Sequence, residues 1–341
     1  MGQSRWVRSP ALKEWQTLGL AVIIVFAGAA VAAPLVAPHS PDSAFPRLLN
    51  APPTRIHLRD EAGRWHAPFI YPWTLVSQLE QRYQENREAP VPLRWMASGH
   101  LVGSADTARA PLLLAGADSF GRDVFSRVVY GARTSLALAF LSAIGAVLVG
   151  AASGAVAGYA GGWLDEALMR TSDFVLVLPA MYVVLALRAA MPLVLSARTV
   201  FLVLAAIFAV VGAPSIARGV RGIVRSERAR DYAAAAVSLG ASDRRLVLRH
   251  LLPAARGFIL VNLVLLVPAF IVTEATLSYV GLGFPATVPS WGTMLQEAAS
   301  VRAMVDFPWL LTPAAALFIV VLAINGALER RTGDPRRGTL W

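Results

Sequence analysis

The chain has 341 residues, of which 56% are hydrophobic and only 15% charged, where an ordinary soluble domain carries about 25% charged residues. That much apolar side chain exceeds what soluble cores of this length can hide, so an integral membrane protein is the first reading. The net charge is +10, carried almost wholly by arginine, and the absence of cysteine excludes disulfides, thiolate metal sites, iron–sulfur clusters and cysteine nucleophiles.

Crossing about 30 Å of hydrocarbon takes about 20 helical residues. The first stretch able to do so covers residues 18–36. Arg5, Arg8 and Lys13 precede it, and Ala30 and Ala32 near its end would suit cleavage as a signal peptide. The apolar run is longer than a signal h-region and continues through Pro34 and Leu35, which favours a retained helix.

Residues 37–132 follow as a long insertion with ten of the 22 prolines, too long for a simple connector and so expected to fold. Arg55 to Ile70 reads as a hairpin turning at Asp60-Glu61-Ala62-Gly63. Leu75 to Glu88 reads as a polar helix and Leu112 to Leu114 as a short strand, which together give a small α+β cap.

Five further spans are expected. The second lies between Arg133 and Asp165, without a charge. The third runs from Asp173 to about Leu195 with Arg188 inside, where its stem can snorkel. The fourth lies between Arg198 and Arg218. The fifth follows Arg256 to about Gly283, with Glu274 inside, and the sixth lies between Asp306 and Glu329. The fold class is therefore all-α with six transmembrane helices. Residues 133–328 form its core, and residues 1–17 and 329–341 are the two ends.

Basic residues fix the orientation. Residues 218–256 hold Arg218, Arg221, Arg225, Arg228, Arg230, Arg244, Arg245, Arg249 and Arg256, and the tail adds Arg330, Arg331, Arg336 and Arg337. Only Arg302 lies between spans five and six. Both termini and the 218–256 loop are thus expected in the cytoplasm and the 37–132 insertion outside, which accounts for the charge without nucleic acid. Trp163, Trp291 and Trp309 fall near span ends, where interfacial anchors are expected.

The sole lysine lies in Leu12-Lys13-Glu14, so no Gly-Lys-Ser/Thr phosphate loop is present and the chain is not expected to hydrolyse ATP. Five histidines are scattered without metal-ligand spacing, and neither Gly-x-Ser-x-Gly nor His-Glu-x-x-His occurs. Glu274 is costly at its depth, roughly 24 Å along its helix. It either lines a translocation route or makes a buried helix–helix hydrogen bond. Ser278 and Asn262 are placed with it in the candidate path, although Asn262, like Asn325, also reads as interhelical glue. Arg122, Asp123 and Arg127 suggest an intramolecular ion pair rather than a substrate site.

Within the arginine-rich segment, Asp231-Tyr232-Ala233-Ala234-Ala235-Ala236-Val237-Ser238-Leu239-Gly240 predicts a short helix ended by a left-handed glycine. Ser242 or Asp243 then caps a second helix, which Pro253 is expected to close. This stretch resembles the EAA loop of binding-protein-dependent ABC importer permeases. It matches at Ala235, Ala236, Gly240, Leu252 and Pro253, and departs at Ala234, where the family has Glu, and at His250, where it has Ile. An Arg-His before Leu-Leu-Pro is similar to the dipeptide and oligopeptide branch. Gly116 to Arg133 and Thr273 to Gly283, followed by Pro289 to Leu295, also resemble that branch, which places the former as an amphipathic outer helix.

The resemblance implies a type I importer permease in the bacterial inner membrane, forming half of a peptide pathway. It implies a second permease chain in a heterodimer, two cytoplasmic ATPase subunits holding ATP and magnesium, an external substrate-binding protein, and surrounding lipid. It also implies that Asp231, Tyr232, Ala235, Ala236, Gly240, Ala241, Ser242, Leu252 and Pro253 meet the ATPase. The resemblance does not cover about Phe45 to Ala115. A stand-alone channel or secondary transporter remains the alternative.

Overall fold

The computed structural model describes residues 10–60, 63–97, 99–192 and 195–332. The N-terminal residues before Pro10 and the tail arginines Arg336 and Arg337 lie outside the described residues. The chain divides into two compact units, Met1–Ser135 with Ser278–Trp341, and Leu136–Leu277.

The first unit begins with helices α1 (Pro10–Val31) and α2 (Ala33–Val36). α1 packs along α12 (Thr312–Thr332), and the backbones come close where a Cβ on Gly19 would meet the Ala323 carbonyl at 2.7 Å. The insertion then forms six strands: β1 (His57–Arg59), β2 (Trp65–Ile70), β3 (Trp73–Ser77), β4 (Arg82–Glu85), β5 (Val91–Ala97) and β6 (His100–Ser104). One antiparallel sheet has the order β1-β2-β5-β6, and β3-β4 is a separate hairpin.

The expected first hairpin is present, with Gly63 at φ +76° in its turn. Asp60 accepts from the Arg64 amide at 2.8 Å and faces His66 at 2.9 Å, and these bonds hold its carboxyl well below the usual carboxylate range. The expected helix over Leu75–Glu88 is instead the β3–β4 hairpin, with Trp73 opposite Glu85 and Leu75 opposite Tyr83. Its Trp, Thr, Leu, Val and Tyr residues suit pleated strands, and Gln81 takes a positive φ in the turn. Leu112–Leu114 is no strand. Leu113 is buried in a loop, where its amide and carbonyl bond Thr54. Before α3 begins at Val124, the described secondary structure of the insertion is therefore strand, and the helix expected in the cap is absent among the described residues.

Two small cores hold the insertion together. Ile70, Val91, Leu93, Ala110 and Leu112 pack under the larger sheet. Leu48, Ala51, Leu113 and Ala117 pack beneath Trp73 and Tyr83. Its two ends are sewn together by Phe45 N–H to Gly121 O, Asn50 N–H to Asp118 O and Ala117 N–H to Ala51 O.

Helix α3 (Val124–Ala160) begins nine residues before Arg133, so the helical part of the segment expected outside is continuous with the second span. In the second unit α3 is followed by α4 (Gly162–Val177), α5 (Ala180–Ala189), α6 (Ala197–Arg228), α7 (Asp231–Ser238), α8 (Asp243–Leu246) and α9 (Arg256–Tyr279). The expected straight third span is instead the pair α4 and α5, bent by 92°. Pro179 follows Leu178, which it forces out of the helical region to ψ 134°. α3 meets α6 through a glycine stripe. A Cβ on Gly150, Gly154 or Gly158 would lie 2.6, 2.3 or 2.7 Å from the carbonyls of Ala213, Ala217 and Arg221.

The first unit closes with α10 (Trp291–Glu297), α11 (Val301–Asp306), a 3-10 turn (Pro308–Leu311) and α12. Among the described residues four helical stretches are long and apolar enough to cross a membrane: Val124–Ala160, Ala197–Arg228, Asp243–Tyr279 and Pro308–Ala327. The bent α4–α5 pair makes a fifth if taken as one span, and Thr17–Val31 is a shorter apolar helix. Of the expected six spans, the described residues thus show four, or five with the bent pair, and Thr17–Val31 is too short to count with them.

Of the three tryptophans expected as interfacial anchors, Trp163 alone is well exposed. Trp291 is fully buried, its indole donating to Val128 O at 3.1 Å, and Trp309 donates to Ala117 O at 3.0 Å. Both serve packing rather than anchoring.

Candidate functional site

The segment between the fourth and fifth spans is built from helix ends. Arg230 stands in extended backbone before α7, and Asp231 lies in its first turn, where a carboxylate suits the helix dipole. At the other end Gly240, at φ +84°, donates to Val237 O at 2.9 Å, and Ala241 donates to Ala236 O at 3.0 Å. Those two bonds form a Schellman motif, which ties off the last carbonyls and aims the chain into α8. Ser242 has the extended backbone of an N-cap, but its side chain makes no capping bond.

Pro253 does not close the second helix. α8 passes into a π-turn (Val247–Leu251) and a 3-10 turn (Leu252–Ala255), and the axis runs on into α9. Proline lacks an amide donor, and it sits here at the start of a 3-10 turn where no such donor is needed.

Ala233, Leu246, Leu251 and Ala255 turn inward and are buried. The opposite surface carries Asp231, Ala235, Ser238 and Ser242, all exposed, with Ala236, Ala241 and Leu252 half-buried. Leu239 is 88% exposed and Val237 55%, so an apolar tip stands uncovered beside the Schellman turn. Tyr232 donates to Glu227 Oε2 at 2.8 Å, and burial together with that bond pushes its phenol up.

A polar ladder supports this element from below. α6 carries four of the nine arginines as helix rather than loop, and each has a partner. Arg218 Nη2 meets Asp173 Oδ1 at 2.5 Å, and Arg221 grips Asp165 through two bonds of 2.5 and 2.6 Å. Arg225 lies 3.9 Å from Asp165, and Arg228 stacks over the Tyr159 ring while bonding the Tyr159 carbonyl. Tyr159 in turn donates to Asp243 Oδ1 at 2.5 Å, tying the end of α3 to the start of α8. The sequence reading missed these acidic partners. The signal was there: Asp165 and Asp173 lie eight residues apart, two helical turns, facing arginines spaced at three, four and three.

A second cluster fastens the segment before α3. Asp118 accepts from the Phe120 and Arg122 amides, both at 2.9 Å, and from Arg122 Nε at 2.7 Å. Arg122 also reaches Glu297 at 2.6 Å, and the fully buried Arg127 lies 3.4 Å from the same carboxylate. Asp123 accepts from the Phe125 amide and from Ser126 Oγ, and meets His39 Nδ1 at 3.2 Å. The expected intramolecular pairing of this run is present, and Glu297 and His39 are the partners the sequence did not indicate.

Glu274 is 0% exposed in α9. Asn262 donates to the Phe258 carbonyl of its own helix at 2.9 Å. Ser278 is buried where Gly283 leaves no room for a Cβ. Arg188 does not snorkel. It is 3% exposed and donates to the Pro192 carbonyl at 3.3 Å, capping the end of α5. Among the described residues no group of three or more metal-ligating side chains comes together.

Residues 146–332, more than half of the chain, match the family of binding-protein-dependent transport system inner membrane components. The oligopeptide transport system permease protein OppC of Bacillus subtilis is 37% identical over 211 residues, 62% of this chain and 67% of that protein. The glutathione transport system permease protein GsiD of Pectobacterium atrosepticum is also 37% identical, with the same coverage. OppC of Lactococcus lactis is 34% identical over 70% of this chain and 81% of its own length. In structure, the inward-facing MetNI methionine ABC transporter aligns at a TM-score of 0.46 with 18% identity, over 61% of this chain and 97% of that one. With its apolar spans and the match running through α6, α7 and α9, the chain belongs to the binding-protein-dependent transport system inner membrane components, the permeases of ABC importers.

Proposed function

We propose that this permease forms half of the translocation pathway of an ATP-driven importer of dipeptides and oligopeptides. It pairs with a second, similar permease chain. The α7–Gly240–α8 element faces the cytoplasm and seats on one of two ATPase subunits, and the β insertion faces a substrate-binding protein outside. The observation that carries this reading is the apolar tip at Val237 and Leu239, uncovered on a helix end that the Schellman turn and the arginine ladder hold in place. A lone large exposed residue needs no partner, but two on an ordered element are what a docking knob requires.

The arginines of residues 218–256 support the cytoplasmic side for this element through the positive-inside rule. A chain without a phosphate-loop lysine needs its ATP chemistry in partner subunits. Movement of the knob, driven by closure of the ATPases, would rock α6 and α9 between two arrangements. Asp231, Tyr232, Ala235, Ala236, Gly240, Ala241, Ser242, Leu252 and Pro253 are the proposed contact or shaping residues. Glu274, Ser278 and Asn262 are the proposed path positions. The peptide cargo follows from the names of the relatives alone.

Co-purification tests the docking. A tagged wild-type chain should bring down an ATPase subunit in detergent, and Leu239→Asp should cut the recovered ATPase at least tenfold without reducing membrane insertion. Equal recovery with the aspartate variant would remove the knob from the interface.

A further inference from the structure

We propose that the β insertion carries a peptide site of its own, a cleft that takes a short peptide with free ends, its ammonium against Glu85 and its carboxylate against Arg55. This rests on the peptide reading above and adds to it a second place, apart from the spans, where cargo binds. The cleft has a volume of about 1070 Å³. Ligand pockets run from about 300 to 1,000 Å³, so this one is large for an ion or a single amino acid and suits a peptide of a few residues.

One wall is the β3–β4 hairpin. Its register sets Trp73 opposite Glu85, so indole and carboxylate share a face, and Tyr83 follows two residues along on that face. The other wall is the run Pro52-Pro53-Thr54-Arg55, which belongs to no strand. Neither proline has an amide to donate, so this run does not zip onto the hairpin as a further strand, and the cleft stays open.

The charges on the two walls select the occupant. The Glu85 side chain is 10% exposed and only loosely neutralised, with His57 Nε2 at 3.4 Å and Arg87 Nε at 4.0 Å. A nearly buried carboxylate with such long partners favours a cation, and the Trp73 and Tyr83 rings beside it suit an ammonium. Glu88, just past β4, adds a second negative charge to this wall. Across the cleft Arg55 is exposed and makes no ion pair among the described residues. A ligand with one charge of each sign at its two ends meets both walls, and a neutral sugar meets neither. The Trp73 Nε1–H is buried without an acceptor among the described residues, and a peptide brings the carbonyl it lacks.

The full chain in lipid nanodiscs, with neither binding protein nor ATPase, is titrated with unblocked tetraalanine by isothermal calorimetry. The free peptide should bind, N-acetylation should weaken binding by about tenfold or more, and C-terminal amidation by about threefold or more. Glu85→Gln should bind free and acetylated peptide alike, and Arg55→Ala the acid and the amide alike, each keeping the other discrimination and a thermal midpoint near wild type. A merely structural role would not remove one discrimination and spare the other. Equal binding of a peptide blocked at both ends would overturn the proposal and give the cleft to an internal protein segment. Uptake of tetraalanine by the complete importer is measured in parallel. Uptake without binding to the isolated chain would overturn the cleft alone, and loss of both would overturn the peptide reading with it.

Discussion

Asp123 takes on several tasks at once. Its carboxylate receives the Phe125 amide, the Ser126 amide and the Ser126 hydroxyl at the head of α3, and it meets His39 from the far end of the insertion. It is 1% exposed, so removing it leaves buried donors without an acceptor. Loss of the cap alone costs about 1 kcal/mol, and each orphaned donor adds about 1–3 kcal/mol. Asp123→Ala should therefore lower thermal stability in detergent by about 2 kcal/mol or more, with Asp123→Asn recovering part of it; a scanning-calorimetry midpoint equal to wild type would contradict this. Glu274 poses a different question at the same scale. A carboxylate wholly buried in an apolar helix is costly to keep unless it has a use. If it lines the path, Glu274→Gln should slow peptide uptake at least tenfold and alter its pH dependence; an uptake profile unchanged across pH would reduce Glu274 to a packing role.

The glycine stripe of α3 shows what an element demands of its neighbour. At Gly154 the α6 backbone is so close that a methyl group would sit 2.3 Å from the Ala217 carbonyl. Gly154→Ala should force the helices apart, at about 1–3 kcal/mol, and reduce the folded yield in the membrane. Gly222 on α6 has open space around its missing Cβ, so Gly222→Ala should be neutral or stabilising by up to about 1 kcal/mol. Equal loss in both would point to helix flexibility rather than close approach. Elements were unevenly legible in the sequence. The Gly240 cap, the β1–β2 hairpin and four long apolar helices follow from local rules and are present. The charged residues of the β3–β4 segment suggest a surface helix, whereas Trp73 and Tyr83 packing over Leu48 and Leu113 decide the outcome. Burial of Trp291 and Arg188, and the acids facing the α6 arginines, depend on contacts between distant residues that no local window contains.

At the scale of the whole molecule, the apolar excess resolves into membrane helices and the net positive charge into specific places. Arg218, Arg221 and Arg225 on α6 face Asp173 and Asp165 of α4, Arg228 is held by Tyr159 of α3, and those of α8 and beyond, Arg244, Arg245, Arg249 and Arg256, remain exposed. The chain supplies spans, an exposed apolar tip at Val237 and Leu239 and a β insertion, and its family is that of binding-protein-dependent transport. In the proposed mechanism energy enters through α7 and α8 from an ATPase partner. The decisive measurement is uptake of a labelled oligopeptide by proteoliposomes holding the complete importer. Uptake should require hydrolysable ATP and fall at least tenfold in Leu239→Asp. Uptake that persists with ATP depleted and follows an imposed ion gradient would contradict it and favour a secondary transporter.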